Sequence, residues 1–188
     1  MGIPPPQKSG NGKLIIIVVI AAVCVCGIPA LGIVAAIAVP AFTKYMRRAK
    51  TSEARVKLAT MFDAISAHYM EHGRCPEGET GQAGVTPPLS VNCNDSEARR
   101  CSSAAGMYPA TAWTDNPVWS EIGFKIDGEH FFHYNLRWTQ TADSCQFTAQ
   151  AFGDLDDDGV FSTFERAGAA DVNGVQAAAG LNIDHEVE

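Results

Sequence analysis

The most pronounced feature of the chain is a long uncharged stretch near its N-terminus. From Leu14 to Thr43 there is no charged residue and no histidine. About 20 consecutive apolar residues suffice for a helix to cross a lipid bilayer, whereas the apolar region of a cleaved signal peptide is only about 7–15 residues long. Residues 14–43 are therefore predicted to form a transmembrane helix, preceded by a short basic tail at residues 1–13.

An amphipathic pattern follows directly. Between residues 44 and 72 there is no proline or glycine, and apolar residues recur at steps of three and four, which marks one face of a helix. These residues are Leu58, Met61, Phe62, Ile65 and Tyr69. Gly73 is typical of a helix end. Residues 44–72 are thus predicted to continue the same helix as a stalk whose apolar stripe lies against a sheet.

The pattern changes again beyond the stalk. Residues 74–118 are rich in Pro, Gly, Ser, Asn and Cys, which is typical of an irregular connection. Three predicted strands then follow, at residues 123–126, 130–138 and 144–152. Asp127-Gly128 supplies a hairpin turn between the first two.

The fold class predicted is α+β, with the long N-terminal helix packed on a small antiparallel sheet. Residues 73–188 form its globular head. Asn173-Gly174 and the run 181–187 allow one more hairpin or edge strand.

Small residues and prolines interrupt the apolar half of the helix. Gly32 and Ala36 form a small-xxx-small pair, which lets helices approach closely in lipid; a generic apolar span is the alternative. Pro29 and Pro40 each remove a backbone donor, so they predict a bend.

Charge is distributed unevenly along the chain. The whole chain has a net charge of −7, no acidic residue precedes Glu53, and 20 acidic but only 6 basic residues follow Leu58. Nucleic-acid binding requires basic patches, so nucleic acid is excluded as a partner of the head. Basic residues after the span favour a cytoplasmic C-terminal side, whereas the cysteines favour the opposite orientation, which we adopt.

Four cysteines, Cys75, Cys93, Cys101 and Cys145, lie in the head. Two disulfides in an oxidising compartment are predicted, with three pairings open. A zinc site is the alternative, although no Cys-x-x-Cys pair is present. In the apolar run, Cys24 raises the alternative of a lipoprotein signal.

Residues 154–165 match the twelve-position calcium loop D-x-D-x-D-G-x5-E. Alternating carboxylates converge on one hard cation in such a loop, and glycine provides its sharp turn. A strand rather than a helix leads into it, so an acidic solvated turn is the alternative. The predicted Ca2+ ligands are Asp154, Asp156, Asp158, the Val160 carbonyl, Ser162 and Glu165.

No catalytic constellation is visible, and we expect no enzymatic activity. His68 and His72 have the i, i+4 spacing of metal ligands but fit packing or surface positions better. His130 and His133 fall on opposite faces of a strand. Trp113, Trp119 and Trp138 are predicted to be core or loop anchors.

The run GIVAAIAVPAF at residues 32–42, followed by KYMRRAK at 44–50, resembles the N-terminal helix of type IV pilins and type II secretion pseudopilins. Pro40 corresponds to the family's helix proline, and residues 152–165 also resemble pilin-like proteins. Some pseudopilins use calcium to order a loop near the end of the sheet. The family usually carries a glutamate near the start of its helix and a glycine before its cleavage site. Counting back from Pro40 places that glutamate at Val23, where this chain has none.

The resemblance implies a subunit anchored by a single pass in the inner membrane, in contact with its lipid, with the C-terminal domain in the periplasm or at the cell surface. Other pilin-like subunits would be its partners in a type IV pilus or a pseudopilus-like filament. The alternative is a membrane-tethered periplasmic domain that binds in a calcium-dependent manner and does not polymerise.

Overall fold

The computed structural model describes residues 12–22, 28–78 and 81–186. Two compact units are distinguished, Met1–Tyr45 and Met46–Glu188. Within the described part of the chain, no helix combines the length and the apolar character needed to cross a membrane.

The N-terminal region contains two helices, α1 (Gly12–Ala22) and α2 (Ile28–His72). The prediction of one continuous helix over residues 14–72 also covers residues 23–27, which lie outside the described residues, as do Cys24 and Cys26 there. Pro40 lies inside α2.

The end of α2 follows from a single glycine. Gly73 has φ +69 and its N–H donates to the Tyr69 carbonyl at 2.7 Å. Glycine adopts this left-handed conformation without a Cβ clash, so it closes the last helical turn. The predicted helix end is confirmed.

In the unit Met46–Glu188, α2 packs on an antiparallel sheet. The five stripe residues named above are all at most 7% exposed, as predicted from their spacing. Phe62 contacts Phe147, with ring centroids 5.2 Å apart. The Arg166 guanidinium also packs on the Phe62 ring, with its central carbon 4.5 Å from the ring centroid.

The sheet has five strands, each antiparallel to its neighbours. They are β1 (His133–Gln140), β2 (Ser144–Gly153), β3 (Ser162–Asp171), β4 (Gly174–Ala177) and β5 (Asn182–Asp184). The order is β1-β2-β3-β4, and β5 also pairs with β3. On the far side of β1, residues 81–86 bond to its backbone, as in the pair Ala83 N to Leu136 O at 2.8 Å.

One predicted strand is wrong and another was missed. Residues 123–126 form no strand, although Phe124 and Ile126 are buried. Phe124 contacts Trp119 of the short helix α3 (Pro117–Glu121), with ring centroids 5.3 Å apart. Its N–H donates to the Trp119 carbonyl at 3.0 Å and not to a neighbouring strand. The sequence pattern does not predict β3, because the first residues of this strand coincide with the end of the calcium-loop motif at residues 154–165. The Asn173-Gly174 turn and a short strand within 181–187 are confirmed as the β3–β4 connection and β5.

Both predicted disulfides are present. Cys75 bonds to Cys145 and Cys93 to Cys101, which selects one of the three pairings. The first joins the segment after α2 to the start of β2, and the second closes a loop of the irregular connection. The three tryptophans are core residues, between 0% and 8% exposed.

Two polar groups anchor the core, the partly buried Glu53 and the buried His130. The Glu53 carboxylate of α2 accepts bonds from the Phe131 N–H at 2.9 Å and the Tyr134 hydroxyl at 3.0 Å, and burial raises its pKa. His130 is 1% exposed. Its Nδ1 donates to the Phe132 carbonyl at 2.7 Å, so its Nε2 accepts from the Tyr108 hydroxyl at 2.9 Å.

Gly168→Ala tests the close approach of α2 to β3. A Cβ there would lie 2.5 Å from Phe62 Cε2 and 2.9 Å from Phe147 Cζ. We expect a loss of roughly 1–3 kcal/mol in the free energy of unfolding, measured by urea denaturation. The control is Gly128→Ala, whose added Cβ meets nothing within 4 Å. Equal stability of the two variants would contradict the described packing.

The buried His130 predicts acid sensitivity. Burial lowers its pKa from 6.5 to about 4, so between these values the unfolded chain binds more protons than the folded one. The contribution of neutral His130 to the free energy of unfolding is therefore complete above pH 6.5. It falls by about 3 kcal/mol as the pH drops from 6.5 to 4. Urea denaturation at several pH values measures it.

His130→Asn is the matched variant, because its amide nitrogen can still donate to the Phe132 carbonyl. We expect it to be less stable at neutral pH and to lose stability less steeply on acidification. An unchanged slope would assign the acid sensitivity to other groups.

Candidate functional site

The unit Met1–Tyr45 presents an apolar helical surface. All described side chains of residues 14–21 and 32–45 are exposed, including Ile33, Ile37 and Phe42 at 64–71%. A Cβ on Gly32 would meet nothing within 4 Å, and Ala36 is exposed beside it. Exposed apolar patches of this extent mark a surface that contacts protein or lipid.

The prolines of this region lie in α2. Pro29 belongs to the backbone of α2, but its side chain is outside the described part. Near Pro40, the Thr43 hydroxyl donates to the Val39 carbonyl at 3.0 Å, an additional bond in the turn where proline contributes no N–H. The predicted bend remains a prediction.

The acidic loop, residues 154–160, brings three predicted calcium ligands together. One carboxylate oxygen from each of Asp154, Asp156 and Asp158 lies within 4.8 Å of the others. Asp154 shapes the loop, because its Oδ1 accepts from the Asp157 N–H at 2.6 Å and its Oδ2 from the Gly159 N–H at 3.0 Å. Three carboxylates this close repel one another unless a cation lies near them.

An arginine of α2 supplies part of that positive charge. Arg47 Nη1 lies 2.7 Å from Asp156 Oδ2, and the Asp156 side chain is 17% exposed. Its other oxygen, Oδ1, is buried and has no hydrogen-bond partner among the described residues. The donor set of hard oxygens fits Ca2+, so the three aspartates are the residues that would hold it.

The remaining predicted ligands are placed differently. Val160 donates its N–H to Asp158 Oδ1 at 2.8 Å, and Ser162 is the fully buried first residue of β3. Glu165 is not brought into the cluster. Its carboxylate lies in β3, where it accepts from Gln150 at 2.6 Å and Asn182 at 3.0 Å.

Residues in and beside the loop closed by Cys93–Cys101 bond to the acidic loop. The sequence pattern does not predict this contact. Asn92 donates to Asp157 Oδ1 at 3.1 Å, and Asn94 donates to the Asp154 carbonyl at 2.8 Å. Arg99 lies 3.6 Å from the Asp157 carboxylate. The cluster of Asn and Asp around Cys93 was the available signal, but nothing in the sequence shows that it meets residues 154–158.

The described part of the head carries a cavity and a groove. A cavity of about 370 Å3 is lined by Asn92, Cys93, His133, Asp154 and Asp158, among others. A shallow groove of about 770 Å3 crosses the outer face of the sheet. There the side-chain bond from Asn135 to Gln150, at 3.0 Å, continues the bonds from Gln150 and Asn182 to Glu165.

Among the residues that the structure describes, the other histidines do not form a metal site with one another. His68 and His72 stack, with ring centroids 4.4 Å apart, and His72 Nδ1 lies 3.0 Å from the His68 carbonyl. His68 is buried, and burial lowers its pKa. His133 donates a hydrogen bond to the Pro87 carbonyl, whereas His130 bonds to the Phe132 carbonyl and the Tyr108 hydroxyl.

A long N-terminal helix with a five-stranded antiparallel sheet is consistent with the α+β fold of a pilin-like protein. Comparison with known proteins points the same way. Over 60 residues the chain is 37% identical to a type IV major pilin protein PilE1 of Neisseria gonorrhoeae, covering 32% of this chain and 36% of that pilin. Another type IV major pilin protein PilE1 of this organism is 41% identical over 59 residues, covering 31% of this chain and 27% of that pilin.

The chain thus spans about a third of the length of the curated relatives it matches. No family model and no solved structure matches it. The similarity is weak and partial, and it supports a pilin-like family without a finer assignment.

Calcium binding remains a prediction, which thermal unfolding can test. With Ca2+ at about 100-fold above its Kd, a specific site stabilises the fold by about 2.7 kcal/mol, which raises Tm by roughly 5 °C or more. We expect Asp156→Asn to abolish that rise.

Asp157→Asn is the matched control, since Asp157 is outside the predicted ligand set and asparagine tolerates its φ of 70. It should keep the calcium response. Identical Tm values in calcium and in a chelator would support the acidic solvated turn instead.

Proposed function

We propose that the chain is a structural subunit of a type IV pilus or of a type II secretion pseudopilus-like filament. It is anchored by a single pass through residues 14–43 in the inner membrane, with its head in the periplasm or at the cell surface. Its role is assembly through helix packing and not catalysis, and its partners are other pilin-like subunits.

The observation that carries the proposal is the exposed, predominantly apolar surface on residues 32–45. Small residues lie on this surface at Gly32 and Ala36, so a second helix can come close to the backbone there. The partial similarity to type IV major pilins supports the same conclusion. The membrane anchor rests on the absence of charge between Leu14 and Thr43.

A second candidate is a membrane-tethered domain that binds in a calcium-dependent manner and does not polymerise. Two observations favour it. Valine occupies position 23, where the family resemblance predicts a glutamate, and the carboxylates of Asp154, Asp156 and Asp158 converge in the head.

Shearing of surface filaments separates the two candidates. Cells that express the full chain are vortexed and pelleted, and the supernatant is tested for a sedimentable, high-molecular-weight form of the protein. The double variant Gly32→Leu, Ala36→Leu should lower that fraction by about tenfold or more, which corresponds to roughly 1.4 kcal/mol of lost packing. Total protein should be unchanged, because Gly32 and Ala36 are both exposed.

The control is Ile33→Leu, a volume-conserving change at a position that is 65% exposed; it should shear like the wild type. A wild-type chain that remains wholly with the membrane would overturn the surface pilus and favour the tethered domain. Cross-linking of the membrane fraction then distinguishes a short pseudopilus, which yields ladders sensitive to the double variant, from a monomer.

A further inference from the structure

Three potential metal ligands from different segments meet in the head. The Sγ atoms of Cys93 and Cys101, which the disulfide joins, and a ring nitrogen of His133 lie within 4.8 Å of one another. All three residues are at most 6% exposed. His133 Nε2 is 3.5 Å from Cys93 Sγ. Two sulfurs and one imidazole are a donor set that Zn2+ prefers.

The imidazole of His133 is oriented as a ligand. Its Nδ1 lies 2.8 Å from the Pro87 carbonyl, and a carbonyl only accepts, so Nδ1 carries the hydrogen. The lone pair is therefore on Nε2, on the side of the sulfurs. A backbone carbonyl bonded to the other ring nitrogen is the usual support of a metal-bound histidine.

The 3.5 Å contact between His133 Nε2 and Cys93 Sγ is not a hydrogen bond in the disulfide form. A disulfide sulfur has no hydrogen to donate, so it leaves the Nε2 lone pair available.

The surroundings leave room for a fourth ligand. The cavity of about 370 Å3 is lined by Cys93 and His133, and also by Asp154, Asp157 and Asp158. Zinc sites with three protein ligands complete a tetrahedron with water or another donor. This cavity gives such a donor access.

We propose that Cys93, Cys101 and His133 bind a thiophilic divalent ion, with Zn2+ as the preferred one, when the cysteines are reduced. The reductant is a dithiol: it gives two electrons and two protons, the Cys93–Cys101 bond breaks, two S–H groups form, and the dithiol becomes a disulfide. Metal binding then releases the two thiol protons to solvent. Two metal–sulfur bonds and one metal–nitrogen bond form.

The metal and the disulfide exclude each other, because each uses both sulfurs. The reduced chain would hold the ion before its cysteines are oxidised, and oxidation would release it. Cys75–Cys145 provides an internal comparison, since no third ligand group joins that pair in the described part of the chain.

Cobalt titration tests the proposal. The full-length chain in detergent carries Cys24→Ser and Cys26→Ser, which removes two further thiols, and it is reduced with a phosphine that does not compete for metal. Co2+ should bind at one ion per chain, with sulfur-to-cobalt charge-transfer absorption and tetrahedral d–d bands. Added Zn2+ should displace it, and the oxidised protein should show no such bands.

Variants identify the ligands. His133→Asn retains a donor for the Pro87 carbonyl but removes the Nε2 ligand, so the affinity for Co2+ should fall at least about 10-fold. Cys101→Ser should remove most of the charge-transfer intensity. Cys75→Ser with Cys145→Ser should change neither, and far-UV circular dichroism verifies that each variant is folded.

Either of two results would overturn the proposal. One is a reduced, folded protein without charge-transfer bands. The other is a set of bands that survives His133→Asn and Cys101→Ser at full affinity, or that disappears when Cys75 and Cys145 are replaced.

Discussion

The contact between the second half of α2 and the sheet is the interaction on which the head depends. Phe62 and its neighbours in the stripe lose nearly all exposure, and each such side chain contributes about 1.5–3 kcal/mol when it is buried. Gly168 permits that approach, because any Cβ there would collide with Phe62 and Phe147. Glu53 fixes the helix along its axis by bonding to Phe131 and Tyr134, at the entrance to β1.

The helical part of the fold could be predicted because its signals are local. A repeat of three and four places Leu58 and Ile65 on one face, and Gly73 ends the helix through its own backbone. The sheet was harder to predict. Phe124 and Ile126 alternate like a strand but are buried without pairing, whereas the β3 run Ala167-Gly168-Ala169-Ala170 has little polar alternation to reveal a strand. This run is part of a strand because β3 pairs with β2, β4 and β5.

The candidate site was predictable in part for the same reason. The spacing of Asp154, Asp156 and Asp158 in one loop is local, and the structure brings these three together. Glu165 belongs to the same motif by spacing, but its backbone is in β3, so its carboxylate joins the polar side chains of the sheet. Arg47, Asn92 and Arg99 reach the loop from distant positions in the chain, and no sequence spacing encodes such contacts.

The way the sheet ends on each side restricts how the head can meet another molecule. On one side, residues 81–86 occupy hydrogen-bonding groups of β1; on the other, β4 and β5 divide the margin of β3 into segments of four and three residues. Long runs of free backbone donors and acceptors are the usual route by which strands of different chains join. Because the described margins of the sheet offer no such run, the head is protected from growing into a continuous intermolecular sheet, even at the high local concentration of a crowded assembly.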